Sequence, residues 1–125
     1  MIMLLLICVL SFAVRIFSVI KFESVIHEFD PWFNFRATQY LVTHGWRKFF
    51  TWYDHESWYP LGRPVGTTIF PGMQFTAAGI YNLLNLLGFQ VSLNDVCVFI
   101  PAGFSILATL FTALIAREAA QPKHK

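Results

Sequence analysis

The chain has 125 residues, 56% hydrophobic and only 13% charged, with a mean hydropathy of +0.55. A soluble domain carries charge on about a quarter of its residues, so this composition excludes a protein that covers its own core with polar surface. The excess apolar area must meet lipid or protein partners. A net charge of +2 with no basic stripe excludes a nucleic-acid interface.

Residues 2–20 form the first apolar segment, interrupted only by Ser11, Arg15 and Ser18. About 20 apolar residues cross a bilayer as a helix, so the segment predicts transmembrane helix one. A cleaved signal peptide is the competing reading. Against it, no basic region precedes the apolar run, and Ser24-Val25-Ile26 is a poor cleavage site. Arg15 is costly at membrane depth. It either snorkels toward the loop side or, as the preferred account, pairs within a larger helix bundle.

Residues 21–95 form a long loop of nearly balanced charge, with six acids and five bases, that holds all four tryptophans. Within it, Asp30-Pro31 reads as a helix start, with aspartate as cap and proline in the first turn. The helix is expected over 31–44, with Gly45 as its stop and Phe33, Ala37, Tyr40 and Leu41 on its apolar face. The segment 52–66 closes on Pro60, Gly62, Pro64 and Gly66, which predicts an ordered but irregular stretch. A second amphipathic helix is expected over 71–87, ending at Gly88, with Met73, Ala77, Ile80, Tyr81, Leu84 and Leu87 on one face. Both helices could rest on the membrane surface, but too few cations line them for a dedicated lipid binder. Packing against a larger protein is the expectation.

Residues 96–116 contain no charge and predict transmembrane helix two. Arg117, Lys123 and Lys125 follow it, which directs the tail 117–125 to the cytosol and leaves the loop on the opposite, lumenal side. Cys8 and Cys97 each lie in an apolar run, which argues for buried thiols rather than a disulfide.

The chain has no phosphate-binding glycine loop, nucleophile elbow, paired-cysteine zinc site or Asn-x-Ser/Thr sequon. What remains is His27-Glu28-Phe29-Asp30. In an extended segment Glu28 and Asp30 would leave on the same side, and carboxylates suit Mg²⁺ or Mn²⁺. One or two cannot fill an octahedral shell of about six ligands, so further acids would have to come from elsewhere. The plain alternative is that Asp30 only caps a helix.

Two blocks carry a resemblance. FESVIHEFDPWFNFRAT (residues 22–38) and WYPLGRPVGTTIFPG (residues 58–72) resemble, in order and spacing, the first lumenal loop of the oligosaccharyltransferase catalytic subunit family. The resemblance implies an α-helical integral membrane protein of the endoplasmic reticulum, the N-terminal part of a glycosyltransferase C-type fold. It implies transfer of a preassembled glycan from dolichyl diphosphate to the asparagine of Asn-x-Ser/Thr in an acceptor polypeptide, alongside other oligosaccharyltransferase subunits. Within the Glu28-Phe29-Asp30 motif, it implies that Asp30 is catalytic, ligates Mn²⁺ or Mg²⁺ and contacts the acceptor peptide. Family members have about thirteen spans, so the remaining acidic ligands and the sequon-reading domain are expected outside this chain, which by itself is expected to be inactive. Two readings stand beside it: another C-type enzyme such as a protein mannosyltransferase, or a non-enzymatic two-span membrane protein.

Overall fold

The computed structural model describes residues 2–120, so Lys123 and Lys125, on which the sidedness of the tail depends, lie outside the described residues. The chain divides into two compact units, Met1–Val25 with Val98–Lys125, and Ile26–Cys97.

The first unit contains helix α1 (Ile2–Phe22) and most of helix α4 (Leu93–Ala120). Both are long and apolar enough to cross a membrane. At 1.5 Å per residue, α1 extends roughly 31 Å, close to the hydrocarbon thickness of a bilayer. Cys8 is the buried residue of α1, while Leu5, Leu6, Leu10 and Val14 are exposed. An apolar helix with bare leucines on several faces requires lipid or further helices around it. Helix α4 runs beyond the expected 96–116 at both ends. Its start is fixed by Ser92, whose Oγ accepts from the Asp95 backbone N–H at 3.0 Å and donates to the Asp95 carboxylate at 2.6 Å. This reciprocal cap adds a polar first turn that hydropathy alone does not register. The two cysteines are free and buried, as expected.

The second unit is built on helix α2 (Phe29–Phe50) and helix α3 (Gly72–Leu86), with a two-stranded antiparallel ribbon between them. Strand β1 (Tyr53–Asp54) pairs with β2 (Arg63–Pro64), Tyr53 opposite Pro64 and Asp54 opposite Arg63. The core is Ala37, Leu41, Phe49, Val65 and Ala78, flanked by Phe33, Tyr40, Val42, Trp52 and Ile69.

Helix α2 departs from the expected 31–44 at both ends. It begins at Phe29 because proline is tolerated anywhere in a first turn, where backbone N–H groups lack partners anyway. At its far end Gly45 leaves the helical region (φ 80°, ψ 167°), but helix resumes to Phe50. Gly45 is therefore a kink rather than a stop. The extra turn delivers Phe49 to the core with no exposed surface, and that burial outweighs the break.

Helix α3 presents a face rotated from the expected one. Gln74, Ala77 and Ala78 are buried, whereas Met73 and Leu87 are exposed. The alanines admit a close neighbour, and a polar Gln74 is admitted because its amide is bonded to α2.

Gly66 is required by close packing. A Cβ there would lie 2.1 Å from the Phe49 carbonyl oxygen and 2.6 Å from the Phe50 Cα. Both obstacles are backbone, so neither can swing aside. Gly66→Ala is expected to cost about 2–3 kcal/mol, seen as a lowered Tm of the full-length protein in detergent. An unchanged Tm would refute this packing.

Candidate functional site

The cluster singled out by sequence lies at the start of α2. Glu28 occupies the N-cap position with φ 70° and ψ 165°, and no side-chain capping hydrogen bond forms there. Asp30 is an acidic residue of the first turn. It is therefore not the helix cap, and Glu28 and Asp30 do not form the extended same-side pair that their spacing allowed. The reason is local: the helix begins two residues before Pro31, and this draws Phe29 and Asp30 into it. Asp30 is exposed, and Phe29 beside it is 82% exposed.

The backbone beneath Asp30 is held from within the unit. The Asn34 amide Nδ2 donates to the Asp30 carbonyl at 3.0 Å. The Gln74 Nε2 of α3 in turn donates to the Asn34 Oδ1 at 2.8 Å. Gln74 is 1% exposed, and its Oε1 has no hydrogen-bond partner among the described residues. A buried amide with an unpaired oxygen is costly, so its place in the core is tied to the contact it makes through nitrogen. Sequence reading missed both amides. The available signal was Asn34 at i+4 from Asp30, the spacing at which a side chain reaches back one turn.

A second charged cluster also escaped sequence reading. Asp54, 2% exposed, accepts from Arg36 Nη2 at 2.9 Å, from the Ser57 hydroxyl at 2.6 Å and from the Glu56 backbone N–H at 3.1 Å. Arg36 also contacts Glu56 at 2.5 Å. Burial alone pushes the Asp54 carboxyl up, but the bonds from Ser57 and Glu56 and the Arg36 charge outweigh it and hold it below the usual aspartate value. This carboxylate fastens the ribbon to α2.

The ribbon is closed by aromatic contacts. The Arg63 guanidinium lies 5.0 Å from the Phe33 ring centre and 5.2 Å from that of Trp58, and it donates to Thr68 at 2.8 Å. Gly62 sits at φ 69°, where a Cβ would fall 2.6 Å from the Tyr53 ring and 2.9 Å from the Asp54 carbonyl oxygen. The segment 52–66 is thus an ordered scaffold. Tyr40 stacks between His44 and Trp52, at 4.2 and 4.1 Å, and borders an open groove of about 630 Å³ that Trp32, Arg36 and Gln39 also line.

As a cation site the unit is partial. No group of three or more His, Cys, Asp or Glu residues converges among the described residues. Asp30 offers one exposed carboxylate, which suits a hard divalent ion as one ligand of a larger set.

Fold and site together define a helical protein of the membrane class, in which two apolar helices flank, in sequence, a folded unit with an exposed acid near its start. Residues 1–124 match the family described as Oligosaccharyl transferase STT3, N-terminal, and the chain belongs to that family. It is 53% identical, over 93% of its length, to the dolichyl-diphosphooligosaccharide–protein glycosyltransferase subunit STT3A of Oryza sativa subsp. japonica. Identity is 48% over 90% of the chain to subunit stt-3 of Caenorhabditis elegans, and 50% over 92% to subunit stt3 of Schizosaccharomyces pombe. The chain spans about 15–16% of the length of these relatives.

Proposed function

We propose that this chain forms the N-terminal part of an oligosaccharyltransferase catalytic subunit, with α1 and α4 spanning the endoplasmic reticulum membrane and residues 21–95 facing the lumen. The full-length protein, with a glycosyltransferase C-type fold, moves a preassembled glycan from dolichyl diphosphate onto the asparagine of Asn-x-Ser/Thr, within a complex of further subunits. The observation that carries this reading is an exposed Asp30 on a backbone anchored through Asn34 to Gln74, in a chain half identical to subunits bearing that enzyme's name.

The chemistry explains the need for an acid. A carboxamide nitrogen is a poor nucleophile because its lone pair is delocalised into the carbonyl. A fixed carboxylate that accepts the amide N–H favours a twisted amide with more electron density on nitrogen, and it does so without reorganising during the reaction. Asp30 takes that role, and the same side chain supplies one oxygen ligand to Mn²⁺ or Mg²⁺. The ion, when bound, offsets negative charge on the departing diphosphate. Its other ligands come from the rest of the full-length protein. Asp30→Ala in that protein is expected to abolish metal-dependent transfer to a sequon peptide. Transfer at the wild-type rate would refute the role.

Gln74 is a positioning residue in this scheme. Gln74→Leu removes the donor to Asn34 but also a buried unpaired oxygen, so stability should change by less than about 1 kcal/mol. The Asn34 amide that holds the Asp30 carbonyl loses its own support, and kcat should fall on the order of 10-fold, the usual penalty for a displaced supporting group, with KM for the donor unchanged. A Tm loss that accounts for the activity loss would reduce Gln74 to a packing residue.

A further inference from the structure

Arg15 lies seven residues before the end of α1, so roughly 10 Å of helix separates it from that end. An arginine at that depth ordinarily extends its stem toward the nearer interface. Here the guanidinium turns the other way. Its Nη1 donates back one turn to the Ser11 carbonyl oxygen and Ser11 Oγ, both at 3.4 Å.

It borders a cleft of about 380 Å³ between α1 and α4, lined by Ser11, Ser105, Thr109, Thr112, Ala108 and Ala113. Ser11 donates to the Ser105 carbonyl at 3.3 Å, which joins the two helices at this level. Ser105, Thr109 and Thr112 each donate to a carbonyl of their own helix, those of Ala102, Ser105 and Ala108. With their protons so engaged, the hydroxyls turn only oxygen lone pairs to the cleft. The cleft therefore presents one cation and several neutral acceptors, and no acid lines it among the described residues. Long hydrogen bonds to a serine do not neutralise a full charge in a medium without water.

We propose that this cleft seats a further transmembrane helix of the same full-length polypeptide, and that this helix brings an Asp or Glu carboxylate against Arg15. Charge complementarity selects the side chain: a carboxylate matches the guanidinium fork with two parallel hydrogen bonds. Ala108 and Ala113 admit the close backbone approach that helix packing in lipid needs. The chain covers about 15% of its relatives' length, so most of the polypeptide is available to supply the helix. The proposal rests on the reading that α1 and α4 cross the bilayer.

Arg15→Leu in the full-length protein, in nanodiscs of zwitterionic lipid, tests it by sign. Leucine relieves an unpaired guanidinium, and Tm then rises or holds. It strands the carboxylate of a paired one, and Tm then falls, which is the expected result, with Arg15→Lys in between. Neutralising each acid in the later apolar helices in turn should find one that matches the Arg15→Leu loss, and the double variant should be no worse than either single. A Tm of Arg15→Leu at or above wild type overturns the pair. A loss seen only when anionic lipid is added also overturns it, in favour of a bound lipid phosphate. Thr109→Cys tests the spanning reading separately: it should resist a water-soluble maleimide in the same nanodiscs, and labelling would sink that reading and the proposal with it.

Discussion

Asp30→Asn in the full-length enzyme should lower kcat for sequon glycosylation by on the order of 100-fold or more, the usual effect of removing a preorganised electrostatic group. Asparagine keeps the size of the side chain and its place in the first turn of α2, so the anchor through Asn34 and Gln74 should persist. What changes is the charge and half of the acceptor capacity. Two consequences separate this from a folding defect. The metal concentration for half-maximal activity should rise, because a neutral amide oxygen is a weaker ligand for a hard cation than a carboxylate. The Tm measured without metal should stay near wild type, because Asp30 is exposed and does not cap α2. Asp30→Glu keeps the charge but moves it by one methylene, so it should recover metal binding better than turnover. A variant whose activity loss is matched by loss of folded protein would remove Asp30 from the chemistry.

Much of this was legible because hydropathy and turn chemistry are local. The apolar runs at 2–20 and 96–116 correspond to α1 and α4, the two helices apolar enough to cross a membrane, and the two motif blocks indicated the family that the comparisons bear out. What stayed hidden depends on contacts between distant residues. Asp54 reads as one loop acid among six until Arg36, eighteen positions earlier, is seen beside it. Gln74 belongs to the polar side of a helical wheel until Asn34, forty positions earlier, supplies its partner. Gly45 carries a stop signal that is locally sound, and only the burial of Phe49 explains why the helix continues beyond it. In each case packing or a buried hydrogen bond overrode a pattern that was correct on its own terms.

The Asp54 cluster yields an expected effect on stability as large as that of Gly66. Asp54→Ala leaves the Ser57 hydroxyl and the Glu56 N–H without their acceptor beneath the ribbon, at a cost of about 2–3 kcal/mol. Arg36 adds little to that sum, because its side chain is 42% exposed and water screens its pull. The pH dependence follows from the lowered carboxyl. A group whose folded pKa lies below its unfolded value stabilises above the unfolded pKa, about 3.9 for aspartate, and loses that contribution as pH falls through the lower folded value. Wild type should therefore exceed Asp54→Asn in stability at neutral pH by a constant margin, and the margin should shrink only below about pH 4. Trp52 and Trp58 flank the cluster in sequence, so denaturant unfolding of the ribbon can be followed by their fluorescence in Trp32→Phe, Trp46→Phe backgrounds. A margin that instead declines between pH 7 and pH 5 would overturn this assignment and would remove Asp54 as the acceptor that fixes the turn at Glu56 and Ser57.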